Sequence, residues 1–154
     1  MSNPPAVLMV ELVMSIDRMI QSAQKAAETQ SHLTIPGEWP AQVVLGHVSQ
    51  VDEQAWMPRI AQMCKALELG KEPPSFIWWE PDASATLERF KNMTLSETSA
   101  LAMSVRTQLL SVVKELTPEQ WTACAKHESF GEIDIAGLII QILTHDEEHR
   151  ASLV

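Results

Sequence analysis

At 154 residues, 45% of them hydrophobic, the chain is long enough to close one core without disulfides or a structural metal, and it is most simply a single domain. Its 20 acidic against 11 basic residues give a net charge of -9, a field that repels phosphate backbones and anionic lipid surfaces and so argues against nucleic-acid or membrane partners. Cys64 and Cys124 stand far apart in no CxxC pair, the N-terminal apolar run is interrupted by Glu11, and no stretch reaches the ~20 apolar residues of a membrane span; a soluble cytoplasmic protein with idle thiols is expected.

The first element runs from about Ala6 to Gln30. Leu8, Leu12, Ile16, Met19, Ile20, Ala23 and Ala27 recur at three- and four-residue intervals, the stripe of an amphipathic helix. "SHLTIPGEWP" breaks it, and Pro40 suits the first turn of a second helix, because its missing N–H has no intrahelical role there. That helix extends to about Leu69, with Pro58 expected to kink or split it. "GKEPPSFIWWEPD" has no periodicity and reads as an ordered loop over apolar surface, followed by a short helix from Ala83 to Lys91.

Thr94 and Glu97 form a capping box, so the third long helix starts near Leu95 and turns Leu101, Val105, Leu109, Val112, Val113 and Leu116 inward. Thr117, Pro118 and Gln120 open a one- or two-turn helix through Trp121, and "KHESFG" is the next break. Asp134 caps the last helix, with Ile133 and Leu138 as a hydrophobic staple. No run alternates like a strand. Four long helices around one core predict an all-α four-helix bundle, and the roughly 25 residues between the second and third suggest a crossover rather than tight antiparallel turns.

Histidines interrupt two of the apolar stripes. On the last helix the line Leu138, Ile142 continues as His145 and His149, with Asp146, Glu147 and Arg150 assigned to the other side; on the second, Val44, His47, Val51 and Ala55 share a face. Three imidazoles from two helices therefore aim at one interior. A lone inward histidine is ordinarily a hydrogen-bonded core residue, but imidazoles packed together leave nitrogens in need of partners at a few kcal/mol each, and a metal ion satisfies them. The metalloprotease pattern H-E-x-x-H is not met, since Asp146 follows His145 and too few residues follow His149 to bring another ligand. His32 and His127 read as surface loop residues. Gln50 and Gln54 lie one and two turns beyond His47, within reach of a metal-bound water or substrate, with a place along a helix boundary as the competing reading; Glu148 is the carboxylate best placed for acid/base work, with a solvated charged face as its competing reading. Trp56, Trp78 and Trp79 read as core and loop packing before a substrate cage.

"WPAQVVLGHVSQVDEQ" and "LTHDEEHRASL", together with Arg106 and the break before the last helix, resemble the DinB/YfiT-like superfamily across the whole chain. The resemblance implies a four-helix bundle of up-down-down-up topology in which His47, His145 and His149 hold a divalent transition metal such as zinc, nickel or iron. It also implies a hydrolase, or a transferase or isomerase that uses a low-molecular-weight thiol on a small-molecule substrate. Pro40 directly after Trp39 departs from the family pattern, which prefers a small polar residue there, and leaves the ligand positions intact. Three imidazoles leave a coordination position open, as catalytic sites do, and water or a thiol suits it equally. The alternatives are a non-catalytic metal-binding or stress-associated bundle, and a bare bundle whose tryptophan loop packs on a partner. A homodimer through helix faces is compatible with all of these, and no residue pattern specifies it.

Overall fold

The computed structural model describes residues 5–30 and 39–153, so the loop that carries His32 lies outside the described residues. Helix α1 (Pro5–Gln30) buries Leu8, Leu12, Ile16, Met19 and Ala23 as the stripe requires. Helix α2 (Ala41–Val51) starts after Pro40, which takes the extended N-cap position rather than the first turn. It passes through a π-helical turn (Asp52–Trp56) into α3 (Met57–Glu68), with Pro58 in the first turn of α3. The split expected at Pro58 is thus made just ahead of it. A proline there cannot donate to the preceding turn, and the wider π turn absorbs the lost bond.

Helix α4 (Ala83–Phe90) is capped by Asp82, whose carboxylate accepts from the Ala85 amide at 2.8 Å. The Phe90 ring sits on Gly46 of α2, where a Cβ would come within 2.3 Å of the ring, so α4 docks only because that position has no side chain. Helix α5 (Leu95–Lys114) opens with both hydrogen bonds of the Thr94–Glu97 capping box. It buries Val105, Leu109 and Val113, while Val112, expected inward, is exposed. A short 3₁₀ turn (Gln120–Thr122) precedes α6 (Ile135–Ala151), which Asp134 caps through the Gly137 amide.

Helix directions follow from which residues meet. Leu8 and Leu12 share a core with Leu138, Ile139 and Ile142, and Ile16, Met19 and Ala23 share another with Leu153, so α1 and α6 run parallel. Val44, Leu45 and Val48 pack with Ala102, while Ile60 and Met63 pack with Leu109 and Val113, so the α2–α3 stretch and α5 are parallel too. Ile16 to Ala26 meet Val44 and Leu45, the end of α1 against the start of α2, which makes those two antiparallel. The order is up-down-down-up. Two parallel neighbours cannot be joined by a tight turn, which is why a long crossover separates α3 from α5.

One expectation is overturned: strands are present. β1 (Ser75–Phe76) pairs in parallel with β2 (Cys124–His127), and β2 pairs antiparallel with β3 (Gly131–Asp134). "KHESFG" is the hairpin turn, closed at Gly131 with a φ of 70°, a left-handed conformation that favours glycine. Strands of two and four residues are too short for alternation to register. Their cohesion comes from backbone bonds, Lys126 N–H to Pro74 O at 2.9 Å and Glu128 N–H to Phe76 O at 3.1 Å, which tie the crossover to the hairpin. The Glu128 carboxylate adds a bond from the Trp78 amide at 2.6 Å.

Candidate metal centre

His47 from α2 and His145 and His149 from α6 converge as their stripes require, with candidate ligand atoms all within 4.8 Å of one another. The Nε2 atoms of His145 and His149 are 3.1 Å apart, and the His47 ring lies 4.6 Å from His149 and 5.5 Å from His145 between centroids. His47 and His145 are buried and His149 half-buried. Burial, reinforced by the neighbouring imidazoles, holds His47 down at about 3; burial, His149 and Arg106 do the same for His145, also about 3. Burial lowers His149 as well. All three are neutral near pH 7, the form that ligates metal.

Two of their nitrogens, His47 Nδ1 and His145 Nδ1, are buried without a hydrogen-bond partner among the described residues. A divalent ion held tetrahedrally at about 2.0–2.1 Å spaces imidazole nitrogens roughly 3.4 Å apart, close to the separation already present on α6. Donor type, neutrality and spacing fit a metal, with His145 ligating through the Nε2 that faces His149, so that its Nδ1 is not the atom an ion would satisfy.

Beside this cluster lies a buried ion network. The Arg106 guanidinium of α5 donates to Asp52 at 2.8 and 3.1 Å and to Asp146 at 2.7 and 3.0 Å, and all three side chains are 1% exposed. Ser15 donates to Asp146 at 2.8 Å, and Arg106 also reaches the Leu12 carbonyl at 3.1 Å. Asp146 was expected on the outer side of α6; it is buried instead, because α6 packs on α1 along one flank and Arg106 meets its charge there. Burial raises the Asp52 carboxyl to about 6 against the pull of Arg106. The same two carboxylates hold the Arg106 proton more tightly than usual.

A cavity of about 190 Å³ is lined by His145 and Trp56, by Trp78 and Trp79 from the crossover, by Phe130 from the hairpin, and by Glu148. The tryptophans expected to serve packing therefore line a pocket, Trp78 and Trp79 being 53% and 37% exposed. Arg59 lines it too, its guanidinium donating to the Ile77 carbonyl at 2.7 Å and stacked 4.8 Å over Phe76. Glu148 is exposed at the wall. Gln50 is buried, and its Oε1 accepts from the Thr86 hydroxyl at 2.9 Å, so it faces α4. Gln54 lines a separate, shallower groove.

His127, expected on the surface, is buried: its ring packs 4.5 Å from Phe130 and its Nδ1 accepts from the Ser129 amide at 3.0 Å. It props the hairpin that carries Phe130 to the pocket. Asp52, Ser15, Arg59 and Phe130 were not singled out from the sequence. For Asp52 there was a signal, since Arg106 lies on the buried stripe of α5 and an inward cation demands buried acids.

The family model described as the DinB superfamily matches residues 11–153. The fold is similar to that of YfiT from Bacillus subtilis, described as a probable metal-dependent hydrolase with an unusual four-helix bundle topology, at 17% identity and a TM-score of 0.64 over 94% of this chain and 83% of that one. It is also similar to a variant of the mycothiol-dependent maleylpyruvate isomerase, at 12% identity and a TM-score of 0.65, covering 98% of this chain and 61% of that one. The chain thus spans less than two thirds of the isomerase. No curated protein matches it. At these identities the likeness establishes the fold and leaves chemistry to the site.

Proposed function

The chain belongs to the DinB superfamily, and from that premise we propose that it is a metal-dependent enzyme, a hydrolase or a low-molecular-weight-thiol-dependent transferase, acting on a small molecule above His47, His145 and His149. The observation that carries this reading is the convergence of three neutral imidazoles, of which His145 lines an open aromatic pocket. A closed or blocked site would favour a purely metal-binding role; the cavity over His145 favours catalysis.

Zinc, nickel or iron would be held by the three histidines and would supply Lewis acidity toward water or a thiol. Trp56, Trp78, Trp79 and Phe130 exclude water and orient the apolar part of the substrate. Glu148, on the wall beside His145, is assigned to accept or return the proton. Gln50, with its oxygen committed to Thr86, is assigned to hold α4 against α2 rather than to touch substrate.

The test is elemental analysis of untagged protein beside the His145→Ala/His149→Ala double variant, followed by substrate screens with and without added thiol. Near-stoichiometric metal in the wild type that is lost in the variant is expected. Wild-type protein that neither carries nor takes up zinc, nickel or iron would sink the reading. Turnover that depends on thiol selects the transferase branch, and turnover without it the hydrolase.

A further inference from the structure

We propose that Arg106, clamped between Asp52 and Asp146, is the positioning residue that sets the spacing of the three histidines across the bundle. The inference rests on the metal-centre reading above. Its starting point is that a buried ion triad is a poor stabiliser. Taking three charges out of water costs several kcal/mol per ion, and apolar replacements of such groups are often neutral or stabilising. Stability alone therefore does not account for three charged side chains, each 1% exposed, in the middle of a bundle.

Placement does account for them. One arm of the guanidinium holds Asp146, the residue next to His145 on α6, and the other holds Asp52, which begins the π turn five residues beyond His47. The two ligand-bearing helices are thus bolted to one rigid planar group. Asp146 is fixed on every side: each oxygen takes a bond from Arg106 and Oδ2 takes a second from Ser15, so it has no free geometry to serve the imidazoles directly. It acts through the backbone of α6. The π turn is part of the same device, since the extra residue it accommodates lets Asp52 reach Arg106 while Trp56 faces His145 at 6.0 Å.

A mere neighbour effect and a positioning effect differ in sign. The Arg106 cation repels a metal ion at His145, so its removal should tighten metal binding if it has only an electrostatic influence. If it sets the spacing, removal should weaken binding.

The experiment is cobalt(II) titration of wild type, Arg106→Met and Asp52→Asn, read by visible absorption, with far-UV circular dichroism as the check on folding. The expected result is an affinity loss of tenfold or more in Arg106→Met, a smaller loss in Asp52→Asn, and in both a changed ligand-field band that reports altered geometry. Should Arg106→Met fail to fold, Asp52→Asn, which leaves the Arg106–Asp146 pair in place, carries the test through its ligand-field band, because losing an anion weakens cation binding by electrostatics alone while only a changed geometry moves the band. Folded variants that bind cobalt as tightly as wild type with the same band would overturn the inference while leaving the tri-histidine centre standing. Wild-type protein that binds no cobalt would overturn the centre, and this inference with it.

Discussion

The Nε2 atoms of His145 and His149, one turn apart on α6, lie 3.1 Å from each other, and neither imidazole carries a charge near neutral pH. Two facing nitrogens at that distance share at most one proton, and His145 Nδ1 is buried and unpartnered besides. Replacing His145 or His149 by Ala should therefore separate two properties. Metal affinity should fall by more than the roughly 10–100-fold typical of losing a group that merely supports a ligand. The melting temperature of the metal-free protein should fall little, because His145 gives up an imidazole whose buried Nδ1 was unsatisfied and His149 is only half-buried. Calorimetric titration with zinc alongside thermal unfolding in a chelator checks both, and an affinity unchanged in either variant would remove that histidine from the centre.

Trp78 and Trp79 give the opposite separation. Both are exposed at the pocket and belong to the crossover rather than the core, so Trp79→Ala should change stability by less than about 1 kcal/mol. If the aromatic wall orients substrate, kcat/KM should fall about tenfold or more with metal content unchanged. Loss of metal in Trp79→Ala would instead make the tryptophan part of the centre's support.

How much of this was legible depended on the range of the interaction. His47, His145 and His149 could be placed because a helical stripe is a local pattern, and the cores of α1, α5 and α6 followed the same rule. Asp146 was misplaced because its charge and its neighbours Glu147 and Arg150 suggested a solvated face, whereas its partners Arg106 and Ser15 are 40 and 131 residues away. The strands escaped notice for a related reason. Each is too short to show alternation, and what holds them is backbone bonding between the crossover and a hairpin some fifty residues later, which leaves little trace in side-chain order. The pocket inherits that gap, since Trp78 and Phe130 meet, at 6.5 Å between ring centres, only once those strands have paired.

Gly46 should be the least tolerant glycine among those described. A Cβ there meets the Phe90 ring at 2.3 Å, and Phe90 is fully buried, so α4 must shift. Gly46→Ala is expected to destabilise by about 1–3 kcal/mol, as overpacking does. Phe90→Leu, destabilising alone through the space it leaves, should recover part of that loss in combination, giving a non-additive double-mutant cycle in chemical denaturation. Additive losses would mean that the two residues do not oppose each other.

Stability of the metal-free protein should fall as pH drops from 7 to 5, and the sign follows from four shifts. Folding lowers His47 and His145 from 6.5 to about 3, so in this window the unfolded chain takes up protons that the folded one refuses. Stability is unaffected above 6.5, begins to fall below it, and by pH 5 each imidazole has cost roughly 2 kcal/mol. Burial of His149 works in the same direction. Asp52 works in the other: raised from 3.8 to about 6, it gains a proton in the folded state before the unfolded carboxylate does, which returns roughly 1 kcal/mol by pH 5. The histidines outweigh it, and a net loss of about 2–3 kcal/mol is expected in urea unfolding with a chelator present. Saturating zinc binds only the folded form and should add about 2.7 kcal/mol at a hundredfold excess over its Kd. Because His47 and His145 are already deprotonated when folded and burial lowers His149 as well, that affinity should fall less from pH 7.5 to 6.0 than three free imidazoles would lose to protons. A metal-free stability that holds level or rises from pH 7 to 5 would mean that the histidines are not held neutral by burial, and the preformed centre would have to be given up.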